Sequence, residues 1–214
     1  MLDITHFGLF ILSVLLLLIT PGPDMAYIVG QSVAYGRRAG IISATGVALG
    51  SCAHAVASVI GLTALITASP VMFSMIKYFG AVYLVFLGGK MLLESCGSKS
   101  EAHSEKPPIK TKASLAGLLS RGFATTLTNP KVLLFFVSFF PQFVTPSGEH
   151  HAASFLVLGL TYALVAFLTD VTFALLAGSA AGAMSHNTSL KRSIDRIVGV
   201  AFIALGIKLA LTHR

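Results

Sequence analysis

Six apolar stretches, each long enough to cross a lipid bilayer, fill most of this chain, and two of them are broken near the middle by proline motifs. A helix needs about 20 largely apolar residues to span a hydrocarbon core about 30 Å thick. The stretches run over residues 7–29, 41–66, 72–93, 113–144, 152–177 and 194–211. Thr20-Pro21-Gly22-Pro23-Asp24 interrupts the first and Asn129-Pro130-Lys131 the fourth. Only 11% of the 214 residues are charged, where a soluble domain carries roughly a quarter. The chain therefore reads as an all-α polytopic membrane protein with six transmembrane helices in a single domain over residues 1–214. Residues 1–6 lack Lys and Arg and the apolar run continues past Pro23, so the first stretch reads as an uncleaved span rather than a signal peptide.

The formal charge of +7 is a matter of sidedness, not of nucleic-acid binding. Arg37, Arg38, Lys90, Lys99, Lys106, Lys110, Lys112, Arg121, Lys191, Arg192 and Arg196 fall on one side of the predicted spans, and Lys77, Lys208 and Arg214 on the other. Basic residues collect on the cytoplasmic side, so both termini are expected outside. Residues 95–112, rich in Ser, Lys, Glu and Pro, read as a cytoplasmic loop. It separates two halves of three spans, about 1–94 and 113–214. Each half opens with a proline-broken span, and Gly88-Gly89-Lys90 and Gly206-Ile207-Lys208 end the two halves alike. Three spans per half put the halves in opposite orientations, an inverted repeat of the kind found in secondary transporters.

The breaks carry the chemistry. Proline removes a helical hydrogen bond and clashes with the preceding turn. In lipid, the freed backbone groups are tolerated only inside protein or beside a wet cavity. Asn129 suits an N-cap with Pro130 at the first helical position. Each break thus presents a half-helix N-terminus that attracts anions.

Asp24, His54, Lys131 and Asp170 are ionisable residues within the apolar stretches. Such residues cost about 2.5–3.5 kcal/mol each on insertion scales and mark pathways or proton relays. Asp24 and Lys131 follow the two breaks and converge if the halves pack by pseudo-symmetry. They then offer opposite poles to a zwitterion, or form a salt bridge with each other, or Lys131 snorkels to the interface. Thr20, Pro21, Gly22, Pro23, Asp24, Asn129, Pro130 and Lys131 are the candidate binding residues. His54 shares a stripe with Gly46, Gly50, Ala57 and Gly61, and Asp170 one with Gly159, Ala163, Ala166, Ala174 and Gly178. Small residues let helices approach closely, so both stripes are expected to face the interior. Histidine and buried carboxylates exchange protons near neutral pH, which makes Asp170, assisted by His54, the candidate for proton coupling. For His54 a plain buried, hydrogen-bonded histidine fits as well.

The sequence holds no Walker A motif, no HExxH, no GxSxG and no metal-ligand spacing. No cofactor, metal or enzymatic activity is expected. Cys52 and Cys96 do not form a CxxC pair and read as free thiols. Phe135, Phe136, Phe139 and Phe140 read as packing or lipid contact.

These motifs resemble the LysE/RhtB-type amino-acid exporters. The resemblance lies in Thr20-Pro21-Gly22-Pro23-Asp24, in Gly36, Gly40, Gly46 and Gly50, and in Gly80-Ala81-Val82-Tyr83-Leu84 with Leu87-Gly88. It continues in Leu127-Thr128-Asn129-Pro130-Lys131 and Phe139-Phe140-Pro141-Gln142-Phe143. It implies export of an amino acid or close derivative across the bacterial cytoplasmic membrane, driven by the proton gradient. Threonine, homoserine, leucine-like and lysine-like substrates all fall within its range, with the neutral branch nearest. The partners expected are that small molecule, protons and the lipid bilayer, and a homodimer is allowed. Two other readings are a six-span thiol-disulfide electron carrier, which needs cysteines at the breaks, and a metal-ion exporter of similar architecture.

Overall fold

A computed structural model describes residues 2–68, 70–96, 114–145, 147–177 and 188–211. Among these the chain is helical, apart from an isolated antiparallel bridge between Ile4 and Val144. The helices are α1 (Phe7–Ile19), α2 (Pro23–Tyr35), α3 (Arg37–Ala68), α4 (Pro70–Cys96), α5 (Leu115–Leu127), α6 (Pro130–Ser138), α7 (His151–Leu176) and α8 (Thr188–Leu211), with a 3₁₀ turn at Phe140–Phe143 after α6.

Each break has a local cause. A residue before proline is driven out of the helical region. Thr20, before Pro21, sits at φ −66°, ψ 122° and ends α1. Gly22, before Pro23, is fully extended and precedes α2. Asn129, before Pro130, sits at φ −74°, ψ 107°. Pro23 and Pro130 then start α2 and α6 at a position where no backbone donor is needed. The paired half-helices bend by 56° at the first break and 54° at the second.

Several boundaries differ from the sequence reading. The loop expected around Arg37 and Arg38 shrinks to Gly36, at φ 89°. Glycine holds that left-handed conformation without a Cβ penalty, so α2 passes directly to α3 and both arginines ride on its first turn. Pro70, which lies between the second and third apolar stretches, begins α4. The apolar stretch of 113–144 ends its α-helix at Ser138, because Pro141 forces the 3₁₀ turn. Within the polar stretch 95–112, everything from 97 onward lies outside the described residues.

Among the described residues, α3 over Arg37–Ala64 and α7 over His151–Leu176 are each long and apolar enough to cross a membrane, with mean hydropathies of 1.7 and 2.0. The two bent pairs pass the same test jointly, giving up to four crossings. Leu12, Ile60, Phe79, Leu93, Leu164 and Val200 all point outward. Apolar side chains exposed on five helices suit a lipid environment better than water. The molecule is a multi-pass membrane protein.

Small residues bring the helices together. α3 crosses α5 where a Cβ on Gly46 would collide with the Leu119 backbone, and one on Gly122 would lie 2.6 Å from the Ser43 carbonyl. α4 crosses α8 at Gly88 and Gly199, where a Cβ on Gly199 would come within 2.8 Å of the Gly88 carbonyl. α7 lays Gly159 on Ala55 of α3. Beside these crossings sits an aromatic core. Phe135, Phe136, Phe139 and Phe140 are buried against Phe10 and Tyr162, so the phenylalanine run is packing rather than lipid contact. The Phe136 and Phe140 rings stack at 4.3 Å, and Phe10 meets Phe140 edge-on at 5.5 Å.

The segment before α1 is fastened to the connection before α7. Thr5 N donates to Phe143 O and Thr145 N donates to Asp3 O, both at 2.8 Å. The Asp3 carboxylate accepts from His150 N at 2.5 Å, at the N-terminus of α7, and Asp3 N donates to Ser154 Oγ at 2.9 Å.

Candidate functional site

The end of a helix leaves carbonyls without partners, and inside a membrane protein something other than water has to meet them. At the first break that group is Lys131. Its Nζ donates to Leu17 O at 3.1 Å and to Thr20 O at 2.9 Å, so the first residues of α6 hold the last turn of α1. A cation at a helix C-terminus also complements the helix dipole. Thr20 Oγ1 covers another carbonyl of that turn by donating to Leu16 O at 2.9 Å. Gly22 makes room for the lysine: a Cβ there would lie 3.0 Å from Lys131 Nζ and 3.4 Å from its Cε.

The second break is built in a similar way. Asn129 caps α6, its Oδ1 accepting from Lys131 N at 3.0 Å. His54 of α3 donates from Nε2 to Thr126 O, in the last turn of α5, at 3.1 Å. The imidazole lies over the Phe136 ring at 5.6 Å with 26° between planes. A polar side chain from another helix thus meets the exposed carbonyl end at each break.

Asp24, in the first turn of α2, faces the Asn129 and Thr126 side chains. Its Oδ1 is buried without a hydrogen-bond partner, and so is Asn129 Nδ2. The salt bridge considered between Asp24 and Lys131 does not form: the ammonium is engaged by carbonyls, although it stays within electrostatic reach of both Asp24 and Asp170. Nor does Lys131 snorkel outward, since it turns into the protein.

Asp24, Lys131 and Asp170 line one cavity of about 20 Å³, together with Ser51 and Tyr162. That space is enough for about one water molecule, so the charged groups are drawn close together. Asp170 reaches it from a buried stripe of Gly159, Ala163, Ala166 and Ala174, as its spacing predicted. Gly178, the last member of that stripe, lies outside the described residues. The stripe expected around His54 is shorter. Gly46, Gly50 and His54 are packed, but Ala57 and Gly61 are exposed, because α3 outruns its partner α5.

The structure therefore gathers Thr20, Gly22, Asp24, Asn129, Lys131 and Asp170 around the two breaks, while Pro21, Pro23 and Pro130 shape the backbone there. His54 stands next to this group, on the α5 carbonyl, and does not line the cavity. Sequence reasoning missed Tyr162, Ser51 and Thr126. Tyr162 carries a signal that was available, because it lies four and eight residues before Ala166 and Asp170 on the same face of α7. Ser51 and Thr126 carry none.

Comparison with known proteins gives the family. The LysE type translocator family matches residues 15–213. A leucine efflux protein of Enterobacter sp. (strain 638) is 31% identical over 212 residues, covering 98% of this chain and 97% of its own. The leucine efflux protein of Salmonella typhimurium (strain LT2) is 29% identical over 211 residues, covering 97% and 95%. That of Klebsiella pneumoniae subsp. pneumoniae is 29% identical over 205 residues, covering 94% and 92%. No solved structure matches. With one family matched from the first span to the last few residues, the chain belongs to the LysE type translocators.

Proposed function

We propose that this translocator exports neutral amino acids of the leucine type across the bacterial cytoplasmic membrane in exchange for protons, without enzymatic activity. The observation that carries the reading is the cavity at the paired breaks, where one ammonium and two carboxylates from three helices meet at the ends of half-helices. A zwitterion needs both signs of charge at close quarters. The half-helix N-termini at Pro23 and Pro130 suit its carboxylate, Asp24 suits its ammonium, and Asp170 holds the exchanged proton. The names of the relatives support leucine or a similar side chain.

The architecture in this reading is six spans in two inverted halves, α1–α4 and α5–α8. Its support is the like pairing of α3 with α7 and of α4 with α8 across the halves, together with the like bends at the breaks. Both termini lie outside. The excess of basic residues on the opposite side supports this orientation, and the fastening of Asp3 to the α6–α7 connection supports the span count, because six spans put that connection and the N-terminus on one side.

The test is uptake into everted membrane vesicles against a panel of amino acids, with and without a pH gradient. Leucine-type substrates should accumulate only with the gradient. Accumulation of none of the panel would sink the reading. Serine at both Cys52 and Cys96 should leave uptake unchanged, whereas a thiol-disulfide carrier would lose its activity.

A further inference from the structure

Lys131 occupies a place that another ammonium fits. Two backbone carbonyls, of Leu17 and Thr20, converge on one nitrogen at 3.1 and 2.9 Å. Glycine at position 22 keeps the space beside it open. Asp24 Oδ1 lies nearby, buried and without a partner. Asp24 and Asp170 line the same cavity as Lys131, and acidic side chains suit an incoming ammonium. A charged hydrogen bond is worth roughly tenfold or somewhat more in affinity, small enough for an incoming ligand with the same donors to compete.

We infer that the Leu17 and Thr20 carbonyls form a primary-ammonium subsite that Lys131 fills at rest and yields to the amino group of the transported molecule. The exchange conserves hydrogen bonds, since one N–H donor set replaces another on the same oxygens. It also frees the Lys131 ammonium, on its long stem, to pair with the carboxylate of the same ligand. The lysine is then a latch that the two poles of a zwitterion open together, and a molecule lacking either pole opens it poorly. This rests on the amino-acid reading above and adds to Asp24 and the half-helix N-termini a backbone partner for the ammonium and Lys131 as a partner for the carboxylate.

The experiment separates the subsite from the transport reading by measuring binding on purified protein. Calorimetric titrations use isopentylammonium, an amine without a carboxylate, and its N-trimethyl analogue, which has the same charge and no N–H donor. In Lys131→Met the internal competitor is gone, and isopentylammonium should bind about tenfold tighter than to the unmodified protein, the scale of one charged hydrogen bond. The trimethyl analogue should gain much less. Equal gains for both would show a general field effect and overturn the subsite, as would unchanged or weaker binding of the primary amine. Lys131→Arg supplies a second variant that retains a cation at the carbonyls. Its amine affinity should not exceed that of the unmodified protein, and a gain like that of Lys131→Met would count against the latch. Leucine uptake by vesicles reads the transport proposal independently: failed uptake with the expected amine binding would remove the substrate and leave the subsite.

Discussion

Lys131 Nζ lies 2.9 Å from the carbonyl oxygen of Thr20, so the opening residues of α6 hold the end of α1. This contact joins two segments 111 residues apart in the chain. It explains why a lysine is tolerated amid apolar sequence: its charge is matched by carbonyls that the proline break exposes, so the two disruptions compensate each other.

Gly22 is the position where this contact is most easily disturbed. Gly22→Ala puts a methyl group 3.0 Å from Lys131 Nζ. The protein should insert and fold normally, while vesicle uptake of leucine falls several-fold. Gly22→Val should lower it further. Uptake unaffected by both substitutions would mean that the lysine contact has no part in transport.

Asp170→Asn keeps the size and polarity of the side chain and removes its ability to exchange a proton. Gradient-driven uptake should be abolished with membrane insertion intact. Leucine counterflow without a gradient should persist, because the substitution leaves the breaks alone. Full gradient-driven uptake in this variant would take Asp170 out of the coupling.

Phe140 is fully buried between Phe10 and Phe136. Truncating such a ring costs about 3 to 5 kcal/mol. Phe140→Ala should therefore lower the melting temperature in detergent markedly, whereas Phe79→Ala, at an exposed ring of α4, should leave it nearly unchanged. Similar shifts for the two would contradict the burial pattern.

Ile4 and Val144 face each other as the pair between two hydrogen bonds of an antiparallel bridge. Such pairs have Cα atoms about 4.5 Å apart, within the range for a disulfide. In a background with serine at Cys52 and Cys96, cysteines at positions 4 and 144 should cross-link on mild oxidation. Gel mobility before and after reduction reads this directly. Absence of cross-linking would place the N-terminal segment elsewhere.

What was legible in the sequence was legible because each signal acts locally. Pro21, Pro23 and Pro130 dictate the backbone on either side of themselves, so the breaks and the starts of α2 and α6 could be located. The spacing of Gly159, Ala163, Ala166 and Asp170 describes one face of one helix, and that face is buried. The engagement of Lys131 was not legible. An anion is the obvious partner for a lysine, yet the unpaired carbonyls that every helix end leaves take that place at α1. The partnership also depends on how two segments far apart in the chain approach, which no short-range pattern encodes. The stripe through Ala57 and Gly61 failed for a similar reason: spacing defines a face, but only the length of α5 decides how far that face is covered.

The tie between residues 3–5 and 143–145 gains a mechanical meaning once Lys131 is set beside it. α1 and α6 are fastened at their far ends by backbone hydrogen bonds and at their near ends by one side chain. A ladder of backbone bonds is hard to undo, and a single lysine contact is easy to exchange. If the near fastening opens, the far one becomes a fulcrum, and the two half-helices part as a pair of tongs. On this view the cross-linked pair at positions 4 and 144 should remain competent for export, its covalent bond lying at the pivot, where little movement is required.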